Sequence, residues 1–289
     1  MNITFGRFAA LAATAIAAAG LSVALAGPAT AAGGNNDFSC RPSAAHPDAV
    51  VLLHGLGATY YEDLNLLQSH LASEGYCTFS LTYGTEYGFP YVGGLAPIAT
   101  SAPQIAAFVE RVHAATGANV DLVGHSEGGF QSLYVTKTQG ISADIARVVA
   151  IAPPTHGTTF ACLYNLAYLF GQAERTAVGN ALNTFGCPAC NDLGIGGSAV
   201  ATLDSGPIAV RGIAYAVITS RFDELVTPAP IAFVKEPGVT NEYVQDSCPL
   251  DLVGHIGEAY DLNVWHLVDN ALDPGHASPI KVCSFGSPG

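Results

Sequence analysis

Apolar residues along this chain fall into short runs, separated by stretches in which they recur every three or four positions. Residues 50–53 form such a run, and 77–82, 119–123, 147–152 and 215–219 are apolar segments of similar length interrupted or bounded by single polar residues. Bounded by Gly, Asn or Pro, runs of this length predict buried strands. Between the first two, Leu64, Leu67 and Leu71 keep helical spacing, and within 98–115 so do Ile105, Phe108, Val109 and Val112, closed by Gly117. Phe130, Leu133 and Tyr134 mark a further helix over 129–138. Strand alternating with helix predicts an α/β fold: a mainly parallel central sheet with right-handed crossovers and helices on both faces. Residues 242–245 read as a later strand. The alternation breaks over residues 155–206, where a cluster at Phe160, Leu163, Leu166, Leu169 and Phe170 gives way to Gly-rich, Cys-containing sequence. That segment is either a cap insertion over a site or an ordinary pair of packed helices. The Pro-, Gly- and Ser-rich tail from Asp273 is expected to be irregular and held only by Cys283.

The N-terminus departs from this pattern. Arg7, an Ala-rich apolar stretch over 8–26 and the small residues Ala29-Thr30-Ala31 predict a secretion signal over 1–31. Alanine and glycine dilute it too far for a membrane anchor, no basic cluster follows, and no other segment is apolar enough to span a bilayer. Residues 32–289 then suit one domain. The net charge of −13 argues against a nucleic-acid partner, and only 11% of residues are charged. A monomer is expected. All seven cysteines follow the signal and so reach an oxidising compartment, where an odd count leaves one thiol over. A bridge from Cys40 to Cys77 would tie the N-terminal arm to the sheet, and Cys248 and Cys283 bracket the C-terminal region. For the middle segment the simplest arithmetic pairs Cys162 with Cys187 or Cys190. Cys187-Pro-Ala-Cys190 as a redox or zinc pair is the weaker reading, since no second such pair accompanies it.

Candidate chemistry centres on Gly124-His125-Ser126-Glu127-Gly128, a serine between two glycines placed after a strand and before a helix. This is the nucleophile-elbow pattern, in which a side chain at either glycine would clash as the chain turns sharply. A serine hydroxyl needs a histidine to take its proton and a carboxylate to orient that histidine. In the order serine, acid, histidine, Asp223 follows the strand 215–219, and His255 lies between Gly254 and Ile256. Glu224 is the adjacent rival acid; His266 and His276 are rival bases; His156 precedes every plausible acid. Two backbone N–H groups are also required for the developing oxyanion. Glu127, just after the serine, and Leu56, in the loop His54-Gly55-Leu56-Gly57, are placed to supply them, unless that loop is only a strand-ending turn.

The segments Val51-Leu52-Leu53-His54-Gly55-Leu56-Gly57, Val123-Gly124-His125-Ser126-Glu127-Gly128-Gly129 and 219–228 resemble bacterial secreted lipases of the α/β-hydrolase superfamily, especially the actinobacterial class 2 lipases. The resemblance covers about residues 49–256. It implies the α/β-hydrolase fold, with Ser126 as nucleophile, Asp223 as acid, His255 as base, and Leu56 and Glu127 as oxyanion donors. Residues 248–255 are also similar to a fungal lipase of the lipase B kind, whose catalytic histidine follows a bridged cysteine; that likeness implies Cys248–Cys283 and Cys40–Cys77. Glu127 departs from the glutamine or methionine common at its position, which touches local charge and pH dependence but not its backbone donor. The expected activity is that of a secreted ester hydrolase, foremost a triacylglycerol lipase, meeting an apolar ester at a lipid–water interface. A short-chain esterase, a polyester depolymerase and an acyltransferase share the same triad; a non-catalytic binding module on the same scaffold is the reading from another class. No cofactor and no metal are implied, and a structural calcium stays open.

Overall fold

The computed structural model describes residues 35–86, 90–160, 172–184 and 186–287. The expected signal over 1–31 lies outside the described residues, as do Cys162 and residues 161–171 and 185 of the 155–206 segment. Six strands, β1 (Ala49–Leu53), β2 (Thr78–Ser80), β3 (Val120–His125), β4 (Ile145–Ile151), β5 (Ala214–Thr219) and β6 (Val239–Tyr243), form one sheet in the order β2-β1-β3-β4-β5-β6, every pair parallel. The α-helices among the described residues are α1 (Asn65–Ser73), α2 (Ile98–Thr116), α3 (Glu127–Thr138), α4 (Gln172–Thr184), α5 (Pro188–Leu193), α6 (Ser198–Leu203), α7 (Val244–Ser247), α8 (His255–Glu258) and α9 (Leu262–Leu272).

Strand β1 shows why its apolar run is unbroken. Ala49, Val51 and Leu53 face a core built with α2 and α3, while Val50 and Leu52 face a second core built with α1 and α9. Both faces of the sheet are covered, so a polar residue at either parity would be buried. Two strands are shorter or shifted relative to the apolar pattern. Strand β2 begins only after Cys77, which is bonded to Cys40. Strand β6 ends at Tyr243, because the Asp246 carboxylate accepts the Tyr243 N–H and starts the helical turn α7.

The described part of the 155–206 segment packs on the domain body. The Asp192 carboxylate accepts the Ile98 N–H at the start of α2, Val200 and Leu203 enter the core, and Lys137 of α3 donates to the carbonyls of Leu203, Ser205 and Gly206. The tail after Asp273 has no helix or strand among the described residues. More than the disulfide holds it: Leu252 and Gly254 donate backbone N–H groups to Phe285 and Ser287.

Three disulfides are present among the described residues: Cys40–Cys77, Cys248–Cys283 and Cys187–Cys190. The third corrects the expected pairing of Cys162 with Cys187 or Cys190. Cys187 immediately precedes α5 and Cys190 lies in its first turn, so one helical turn brings their Cα atoms to 5.4 Å and joins the two sulfurs to each other.

Candidate active site

Strand β3 delivers its last residue, His125, to the C-terminal edge of the sheet, and the chain reverses through Ser126 into α3. Ser126 takes φ 55° and ψ −119°, a conformation that L residues rarely occupy. The neighbouring glycines make the turn possible. A Cβ at Gly124 would lie 2.1 Å from the Gly128 carbonyl oxygen, and one at Gly128 would lie 1.9 Å from that of Leu53. The Ser126 N–H donates to the Ile151 carbonyl at the end of β4, 2.8 Å away, which fixes the turn to the sheet.

Two later loops meet this serine. Ser126 Oγ lies 2.7 Å from His255 Nε2, and His255 Nδ1 lies 2.8 Å from Asp223 Oδ2. The other oxygen of Asp223 accepts the N–H groups of Leu225 (2.9 Å) and Val226 (2.8 Å), so the carboxylate is both oriented and charge-compensated. With a carboxylate at Nδ1, the ring proton sits there, and Nε2 turns its lone pair to the serine hydroxyl. Such an arrangement can withdraw the serine proton as the oxygen attacks an electrophile.

The rival residues are engaged elsewhere. Glu224 accepts the His255 backbone N–H at 3.0 Å and so braces that backbone without meeting the His255 ring. His266 contacts the Ser278 carbonyl, His276 pairs with Asp273, and His156 pairs with Asp204.

Leu56 and Glu127 both border the serine. Leu56 lines the same hollow of about 290 Å³ as Ser126 and His255, with Leu193, Val226 and Ile256 among its apolar walls. Neither the Leu56 nor the Glu127 backbone N–H has an acceptor among the described residues. The loop carrying Leu56 is held from behind: Gly57 donates to the Gly93 carbonyl, Gly93 to that of Ala58, and Tyr83 Oη–H to that of His54. The His54 ring stacks on Tyr83 at 4.3 Å, and burial holds it below the usual imidazole range, hence neutral.

The Glu127 side chain points away from solvent. It is fully buried, neither carboxyl oxygen has a hydrogen-bond partner, and the neighbouring Gln131 amide donates to the Ile98 carbonyl instead. Burial pushes this carboxyl far above its usual range, so it is a neutral acid and leaves the site uncharged at that position.

A sequence profile described as the alpha/beta hydrolase family matches residues 50–276. The chain belongs to the alpha/beta hydrolase family. Among solved structures, lipase B of Aspergillus fumigatus is similar with a TM-score of 0.63 and 19% identity, over 83% of this chain and 56% of the fungal one. The chain thus spans little more than half the length of that lipase. A monoglyceride lipase from Saccharomyces cerevisiae has a TM-score of 0.53 at 17% identity, over 82% of this chain and 88% of its own. A structure from work on the metagenome-derived lipolytic enzymes LipS and LipT has a TM-score of 0.55 at 14% identity, over 81% of this chain and 96% of its own. At these identities the likeness is one of fold.

Two acids near the site of this alpha/beta hydrolase carry no sequence signal. Glu258, one turn after His255, is fully buried beside Asp223, and one of its oxygens accepts the Ser220 N–H at 3.2 Å. Burial first, then the Asp223 charge, pushes its carboxyl far above the usual range. Asp223, His255 and Glu258 offer ligand atoms within 4.8 Å of one another. The Asp223 and His255 atoms already bond each other, and Glu258 is kept neutral, so the trio fits a hydrogen-bonded support better than a cation site. The second acid is Asp63, 2.7 Å from His125 and 62 residues away from it in sequence.

Proposed function

We propose that this alpha/beta hydrolase is a secreted serine ester hydrolase, foremost a triacylglycerol lipase. The observation that carries the reading is the continuous contact from Ser126 Oγ through the His255 ring to Asp223, at 2.7 and 2.8 Å. Ser126 attacks the ester carbonyl as His255 Nε2 takes its proton; Asp223 stabilises the imidazolium. The tetrahedral oxyanion accepts the N–H groups of Leu56 and Glu127. His255 then gives its proton to the departing alcohol, and water releases the acid from the acyl-enzyme by the same steps in reverse order. The reaction needs no cofactor.

Secretion is supported by the signal pattern over 1–31 and by three disulfides, a count that suits an oxidising compartment. Among the described residues, no helix is long and apolar enough to cross a membrane. A second reading, a short-chain esterase, is favoured by the modest hollow of about 290 Å³ around the serine. Rates on nitrophenyl esters of increasing chain length, with emulsified triolein alongside, separate the two. Turnover of triolein is expected; activity confined to acetate and butyrate would overturn the lipase assignment.

A further inference from the structure

His125 stands just before Ser126, fully buried, with an acceptor at each ring nitrogen. Nδ1 is 2.7 Å from Asp63 Oδ1, and Nε2 is 2.9 Å from the backbone carbonyl oxygen of His255. A carbonyl and a carboxylate only accept, so both ring nitrogens must carry protons. Asp63 is equally committed: its second oxygen accepts the Gly55 N–H at 2.6 Å, and its own N–H donates to Tyr260 Oη at 2.8 Å. Asp63 also holds φ at 67°, a strained value for a side chain that is not glycine.

These contacts join four pieces of chain that approach Ser126 from different elements. Gly55 adjoins Leu56 in the loop after β1, Asp63 lies two residues before α1, His125 ends β3, and His255 opens α8. We propose that His125 and Asp63 are positioning residues, a buried imidazolium–carboxylate pair that fixes the oxyanion loop, the serine turn and the base loop relative to one another. The inference rests on the hydrolase reading above, since it assigns the pair its value by what it aligns. Every other group facing the pair is compatible with it. The His54 ring is neutral, Glu62 lies beside Asp63, and the His255 ring approaches His125 at 4.9 Å between centroids with Asp223 behind it. Burial works against both charges, and the partner together with the backbone contacts outweighs it: His125 is held above the usual imidazole range and Asp63 below the usual carboxylate range.

Two readouts test the pair. Ring-15N NMR of histidine-labelled protein, with His125 assigned by comparison with His125→Gln, should show both of its nitrogens protonated at about pH 8, where a free imidazole is neutral. A singly protonated ring at that pH overturns the proposal. Kinetics of Asp63→Asn on soluble nitrophenyl butyrate should show kcat lowered by about 100-fold or more with KM within about threefold, as loss of alignment in the transition state requires. A folded Asp63→Asn protein with kcat near wild type and only a lower melting temperature also overturns it. The NMR readout involves no turnover, so it fails or succeeds independently of whether Ser126 is the nucleophile.

Discussion

Replacing Gly128 by alanine tests the packing that holds Ser126 in its strained backbone. The new Cβ would stand 1.9 Å from the Leu53 carbonyl oxygen and 2.7 Å from that of His54. The first distance is about 1.5 Å short of the 3.4 Å at which ordinary contact begins. Both obstacles are backbone atoms at the end of β1, so no side chain can swing aside, and the start of α3 has to withdraw. That movement separates the Glu127 N–H and Ser126 from the loop that carries Leu56. Adding a methyl to a filled interior costs about 1–3 kcal/mol, which lowers Tm by roughly 2–12 °C in a domain of this size. Misplacing reacting groups by about 1 Å costs about 100-fold in rate. Gly128→Ala should therefore lose about 100-fold or more in kcat on nitrophenyl butyrate, with KM little changed. Gly275→Ala, whose Cβ meets nothing closer than 3.5 Å, should leave both quantities unaltered. Wild-type kcat and Tm in Gly128→Ala would refute the reasoning.

His255→Ala should lower kcat by about 10⁴-fold or more, as removal of a base that acts as a unit with its serine does, whereas His266→Ala stays within about twofold; steady-state rates on the same ester decide, and reversed results would move the base. Asp121 on β3 is pushed up to about 7, by burial first and by Asp48 second, against the opposing pull of Arg147. Its raised carboxyl leaves stability intact below about pH 4; stability then falls as pH rises toward 7, by at most about 4 kcal/mol at about 1.4 kcal/mol per pH unit. Asp121→Asn removes that loss, so urea unfolding should show the variant gaining on wild type between about pH 4 and 7, less whatever the Arg147 contact contributed. A constant difference across that range would show that Asp121 does not titrate with folding.

Most of the sheet was legible because a strand that faces two helical layers is apolar at both parities, as β1 is throughout and as β3 and β4 are apart from Asp121, His125 and Arg147, whose side chains are paired. Its margins were not: Cys77 is apolar in pattern yet serves a disulfide, and Val244 begins a helical turn because Asp246 captures the Tyr243 N–H. The residues meeting Ser126 carried local marks, glycines around the serine and an acid just after a strand. Asp63 and Glu258 carried none. Each acts on a residue brought near only by the folded sheet, and a single buried acid has no period to betray it. The Cys187–Cys190 bond escaped for a different reason: counting cysteines favours a bridge between distant segments, whereas a helix start makes an adjacent pair sufficient.

The account turns on Ser126 being the nucleophile. Treatment of the intact protein with a p-nitrophenyl alkylphosphonate, followed by peptide mass spectrometry, tests this most directly. One phosphonyl group should appear on Ser126 with stoichiometric loss of esterase activity, and Ser126→Ala should be neither labelled nor active while keeping the wild-type melting temperature. Label on another residue, or esterase activity near wild type in Ser126→Ala, would contradict the account.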